Sequence, residues 1–357
     1  MSKRHVKNWL FVIIGLPLWS ILVGLMIYIG PDFLFRANNH EQQVALNMDH
    51  QQAPAEPFFV KTAQIDLPAR YKNMFFQQPY LYACLGLDGM LLLNCKNPAE
   101  PTVMRRWRGD ELCNPLDIVA RDNYFYVADR FKGLMVIDMA DRLNPAIVES
   151  FATDGIASAL HLWRDYLSVA CGGAGAAIYD VSEPLKPKLL YRYSDRIDYT
   201  TGVRMSDRAV YLADNFAGGF KVLRFENNGL AFQKQYHLDS YCDAVDLVGD
   251  RAYVNNRSDG VSIYDISEPL DPKMICRIFR ENDAMIDLLV EKNVLLTSYK
   301  FFGVAAYDIS VETQPKVLGA AQIGDMTETI CQVGEHLYVS NDRLGISVFR
   351  LKLAQAN

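Results

Sequence analysis

Gly133-Leu134-Met135-Val136-Ile137-Asp138 is the stretch on which the fold turns, because the chain spells versions of it seven times. The others begin at Gly89, Gly175, Gly219, Gly260, Gly303 and Gly345, and successive glycines stand 44, 42, 44, 41, 43 and 42 residues apart. Self-similarity at such a period means a solenoid, a propeller or an array. The sequence therefore speaks plainly about architecture and faintly about activity.

Around that stretch one repeat contains four short apolar runs, Asp117-Ile118-Val119-Ala120, Tyr124-Phe125-Tyr126-Val127-Ala128, Leu134-Met135-Val136-Ile137 and Ala146-Ile147-Val148-Glu149-Ser150-Phe151. Each is rich in β-branched and aromatic residues and too short for a helix, so each reads as a strand. Arg121-Asp122-Asn123 is a polar hairpin turn, and Gly133 sits where a positive φ is easiest without a Cβ. Asp138 ends the third strand, and the exit that follows is spelled Asp180-Val181-Ser182-Glu183-Pro184 in repeat three and Asp265-Ile266-Ser267-Glu268-Pro269 in repeat five. Proline there blocks further pairing. The third strand is apolar at consecutive positions, which fits a sheet covered on both faces.

The Gly-(apolar)4-Asp-(Val/Ile)-Ser-x-Pro-x-x-Pro pattern resembles the LVIVD-repeat family, across roughly residues 57–351. That resemblance implies an all-β, seven-bladed β-propeller with four-stranded blades, and it implies no catalytic residues. Asn94, Arg224 and Arg350 replace the motif aspartate in repeats one, four and seven, and repeat four lacks the proline exit. Repeat seven has three strands before the chain stops, while Pro57-Phe58-Phe59-Val60-Lys61-Thr62 precedes repeat one and reads like a fourth strand. The expectation is a propeller over 57–353, closed by an N-terminal strand at 57–65, so that no free edge is left.

Residues 1–8 carry Lys3, Arg4 and Lys7, and the 21 residues from Trp9 to Ile29 carry no charge. About 20 such residues span a bilayer, more than the h-region of a cleaved signal needs. A basic segment at 1–8 is followed by a transmembrane signal anchor at 9–30. With only Arg36 just beyond it, the positive-inside rule puts the N-terminus in the cytoplasm and the repeats in the periplasm or outside the cell. Residues 31–56 are polar and read as a linker. The formal charge is −6 overall and −9 beyond the first thirty residues, which argues against a nucleic-acid partner. Seven dispersed cysteines without a C-x-x-C read as small buried hydrophobes, with no disulfide framework.

In a propeller the blade-to-blade loops share a face with the hairpins between second and third strands. Here that face would carry Arg130, Phe131, Phe216, Arg257, Tyr299, Lys300, Phe301 and Arg343 on hairpin tips, with Tyr199, Tyr241 and a run of aspartates on the loops. Arg and aromatic residues are enriched at protein interfaces. A recurring loop aspartate (Asp110, Asp154, Asp195, Asp239, Asp283, Asp325) reads more simply as a turn former. A second candidate is the channel mouth, where Asp117, Asp246, Asp287 and His161 lie near the starts of inner strands. Carboxylates there could hold calcium or pin adjacent blades together. No cofactor is otherwise expected, and P-loop, G-x-S-x-G and dinucleotide signatures are missing. The sequence thus favours a membrane-anchored binding or assembly module with a protein partner. A lactonase-like hydrolase with a metal at the mouth is the alternative, as is a carbohydrate or cell-wall binder.

Overall fold

The computed structural model describes Val44–Asn47 and residues 57–352 apart from 109–111, 113, 217–218, 228 and 239. The expected helix at 9–30 lies outside the described residues. Every described sheet is antiparallel in its four-stranded core, and there are seven. Blades 1 to 6 occupy 73–107, 115–151, 159–193, 200–236, 244–279 and 285–322 in sequence order. Blade 7 takes three strands from 327–351, and its outer strand is Phe59–Ile65, antiparallel to Gly345–Leu351 with Phe59 opposite Leu351. The two ends of the repeat region thus share one sheet, and residues 59–351 form a closed ring of blades.

The core is divided among seven seams, one between each pair of neighbouring blades. Third-strand residues serve two seams alternately: Met135 and Ile137 pack toward blade 1, Leu134 and Val136 toward blade 3. This is why the repeat stays apolar at consecutive positions. One seam joins Leu81, Leu91 and Leu93 of blade 1 to Tyr338, Ile346 and Val348 of blade 7, so closure buries as much structure as any other contact. The glycine that opens each run is required on two counts. Gly133 has φ +77°, and a Cβ there would collide with the carbonyl oxygen of Phe151.

The rest of the motif is explained by the exit loop. Asp138, Asp180, Asp265 and Asp308 each accept the backbone N–H two residues on, at 2.8 Å, in an Asx turn. The proline carbonyl in that loop is then latched by the preceding blade. The hydroxyls of Tyr126, Tyr211 and Tyr338, each in the middle of a second strand, donate to the carbonyls of Pro184 (3.1 Å), Pro269 (3.0 Å) and Pro98 (2.7 Å). Where the proline is replaced, the latch changes chemistry. Arg142 of blade 2 donates to the Tyr82 hydroxyl at 2.6 Å, and Glu312 of blade 6 accepts from Arg251 of blade 5 at 2.6 and 2.8 Å. Blades 3 and 6 carry Ser168 and Leu296 at the tyrosine position, and their following blades have no proline exit loop to hold.

Within the stretch read as a polar linker, Val44–Asn47 forms a strand. It pairs in parallel with the outer strand of blade 5, Lys273–Phe279, with Val44 opposite Cys276. Three apolar residues among polar ones are too few to give a period, so the sequence conceals them. A parallel partner supplies the missing hydrogen bonds from outside the segment.

Candidate binding face

The hairpin tips between second and third strands form one face with the blade-to-blade loops, and in blades 2, 6 and 7 carboxylates fix their backbones. Asp129 accepts the N–H groups of Phe131 (2.9 Å), Lys132 (3.0 Å) and Asn114 (2.7 Å). Asp283 accepts those of Phe301 (3.2 Å) and Phe302 (2.8 Å), and Asp325 those of Arg343 (2.7 Å) and Leu344 (3.2 Å). Asp283 and Asp325 are therefore braces for the tips, and Asp154 and Asp195 pair with Arg192 and Arg196. The tips project apolar groups: Phe131, Phe216 and Phe301 are 67, 57 and 63% exposed, and Leu87, Tyr241 and Leu344 are exposed on the same face; at Phe216 the brace is the side-chain oxygen of Asn215, which accepts its N–H at 2.7 Å. Leu87 and Leu344 escape a search for rings and charges, since nothing but their place on a tip distinguishes them.

Of the remaining residues expected on this face, Arg130, Arg257, Lys300 and Arg343 are exposed there. Lys300 lies 5.2 Å from the Phe301 ring centroid. Tyr299 does not reach the face; it is fully buried, its hydroxyl 2.9 Å from that of Tyr307. It stands one residue before the tip, where strand alternation turns the ring inward.

A compact ring cluster lies at blade 4. Tyr199 meets Phe216 edge to face at 6.1 Å, Phe216 meets Tyr241 at 5.7 Å, and the Arg257 guanidinium sits 5.4 Å over Tyr241. Asp243 ties the group, pairing with Arg257 and accepting from Asn215 Nδ2 at 2.6 Å. Below lies a buried ion pair that sequence reasoning passed over. Lys221 and Asp214, with 2% and 0% of their side chains exposed, bind each other, and Lys221 also donates to the carbonyl of Arg196. The signal was visible as a charge inside an apolar run.

At the channel mouth the candidate residues are spent on neighbouring blades. Asp117 accepts the N–H of Ile118 and that of Leu160 in blade 3, both at 2.7 Å, and Asn73 of blade 1 donates to it. Asp287 accepts from Leu288 N–H (2.8 Å), from the Thr329 hydroxyl (2.6 Å) and from Ile330 N–H in blade 7 (3.0 Å). Asp246 pairs with Arg204 at 2.9 Å, and Nδ1 of His161 accepts the N–H of Met205 at 3.1 Å. Burial raises the pKa of Asp117 and of Asp287. Burial, aided by Arg204, lowers that of His161 to about 3, which keeps its ring a neutral acceptor. Among the described residues no three His, Cys, Asp or Glu converge as a metal site. The cysteines described, Cys84, Cys95, Cys171, Cys242, Cys276 and Cys331, are free and buried.

The fold and this face define a seven-bladed β-propeller module. Three stretches of the chain match the LVIVD repeat model, residues 115–153, 154–195 and 241–278, which are blades 2, 3 and 5. Comparison with curated proteins gives no match. Solved structures similar to it include the β-propeller domain of Cps50 (Swd1) from Myceliophteria thermophila, at 10% identity and TM-score 0.66, covering 82% of this chain and 100% of that one. Another is the computationally designed Ika8 protein, at 9% identity and TM-score 0.61, covering 87% of this chain and all of its own. At such identities the likeness concerns the fold alone.

Proposed function

We propose that this protein is a membrane-anchored, extracytoplasmic propeller that holds a protein partner on its hairpin-tip face. The observation that carries the reading is the set of solvent-exposed rings, Phe131, Phe216 and Phe301, on tips whose backbones are already braced. Exposed aromatic groups on a rigid frame lose little entropy when covered, which is what an interface anchor needs. The anchor is the uncharged span from Trp9 to Ile29. A photocrosslinking residue placed at Phe131 or Phe301, in the full chain in intact membranes, should give one discrete adduct identified by mass spectrometry. The same residue at Val311, exposed in the exit loop of blade 6, should give none. Equal yields at both places would overturn the assignment of the face. Intact mass of the membrane-extracted chain tests the anchor, since a loss of the first thirty or so residues would mean a cleaved signal instead.

A further inference from the structure

The outer strands of the seven blades form the wall of the ring, and six of the seven carry at least one Lys or Arg, as Lys188 in blade 3 and Lys316 in blade 6. Charge on an edge strand keeps it from pairing with another chain. Ala146–Phe151 of blade 2 has no basic residue, and it is the barest of the set, solvent-exposed from Ala146 through Ser150. No strand lies along its outer edge among the described residues. Apolar side chains gather around it. Val103 and Met104 of blade 1, Ile147 and Val148 of blade 2 and Leu189 of blade 3 are exposed, whereas among the described residues no outer strand of blades 4 to 7 exposes a large apolar side chain.

Blade 5 shows what such an edge accepts. There the chain's own Val44–Asn47 lies along the outer strand, opposite Cys276 to Phe279 and directly past a bulge at Ile275. Blade 2 has the same bulge at Val148, with Ile147 opposite Ile137 and Glu149 opposite Val136, and the edge beyond it is open. The bulges of blades 1 and 3 fall at Met104 and Leu190, so Met104, Val148 and Leu190 hold the same place in three neighbouring blades.

We infer that the outer wall of blades 1 to 3 docks a second copy of this chain, Ala146–Phe151 of the two copies pairing antiparallel so that two blades join into one eight-stranded sheet. The strand fits its own twin. With Val148 opposite Val148, each Ile147 stands opposite Glu149 of the other copy, and the two carboxylates, the only charges on the strands, never face each other. Because Met104 and Leu190 share the place of Val148, the same two-fold axis sets blade 1 against blade 1 and blade 3 against blade 3, apolar on apolar. A six-residue strand is about 20 Å long and packed sheets lie about 10 Å apart, so three edges offer about 600 Å² per copy and about 1,200 Å² between two, where specific interfaces begin. The wall is apart from the hairpin tips, and the inference does not rest on the protein-binding reading above.

The test uses the full chain. Val148→Cys in intact membranes should give a disulfide-linked homodimer on mild oxidation, and Val311→Cys, exposed in the exit loop of blade 6, should give none. Sedimentation of the solubilised wild-type chain should show the mass of two chains. Val148→Lys supplies at an exposed position the basic charge that the other outer strands carry, so it should weaken self-association by at least about tenfold with the melting temperature unchanged, while Val311→Lys leaves association as it was. A single-chain mass, no homodimer from Val148→Cys, equal association of the Val148→Lys and wild-type chains, or an adduct of Val148→Cys with a different protein would each overturn the inference.

Discussion

At the scale of single residues, polar groups in this propeller act chiefly by tying backbone to backbone, and two of them invite measurement. Removing one partner of a buried ion pair leaves an uncompensated charge, so Lys221→Met should lower unfolding stability by about 3 kcal/mol or more. Methionine fits, since Met135 fills that position in blade 2. Adding Asp214→Asn should restore much of the loss, and urea denaturation of the two variants gives the comparison. Asp287 has a pH signature. Burial raises its pKa, so the native chain keeps the proton at a pH where the unfolded chain has released it. The contribution to stability is then greatest below the ordinary carboxylate range and is lost as pH rises through the raised value. Asp287→Asn offers one oxygen where Thr329 and two N–H groups need two, and should cost about 1–3 kcal/mol at low pH. With no proton to lose, its deficit should shrink toward neutral pH; urea midpoints between pH 4 and 8 would show a constant gap if Asp287 did not titrate.

At the scale of elements, the repeated motif turns out to be a description of seams. Each Tyr–Pro latch is one part-buried hydrogen bond between neighbouring blades, so Tyr126→Phe, Tyr211→Phe and Tyr338→Phe should each lower stability by about 1 kcal/mol. Leu296→Tyr should gain nothing, because blade 7 has no exit loop to receive the hydroxyl. The strands, glycines and exit prolines were legible in the sequence because they are local and repeat. The latches were not. A tyrosine inside an apolar run reads as core, and its acceptor lies 58 residues away in the case of Tyr126. The strand at Val44–Asn47 was hidden for the complementary reason, its pairing being set by blade 5 and not by its own pattern. Deleting residues 44–47 should barely move the melting temperature, since blade 5 keeps the four strands that suffice in the other blades. It should speed hydrogen exchange of amides in Lys273–Phe279, and unchanged exchange there would show that the pairing is absent in solution.

At the scale of the whole molecule, closure is what makes seven marginal sheets into one cooperative body. An open stack of repeats is held by nearest-neighbour contacts and can unfold from its ends. Here the ends are joined twice, by the pairing of Phe59–Ile65 with Gly345–Leu351 and by the apolar seam between blades 7 and 1. Deleting residues 57–65 would remove the outer strand of blade 7 and leave Gly345–Leu351 as an unpaired, largely buried edge. Phe58 and Phe59 would also be lost from the seam between blades 6 and 7. Full burial of a Phe contributes about 1.5–3 kcal/mol, so these two rings alone approach the net stability of an ordinary domain. The truncated chain should therefore lose its single cooperative melting transition and associate through the exposed edge, seen by calorimetry and light scattering. A truncation that melts like the intact chain would mean that the ring holds without its fastening. The braced tips would then owe their rigidity to their own blades alone, and the face would have to be understood blade by blade.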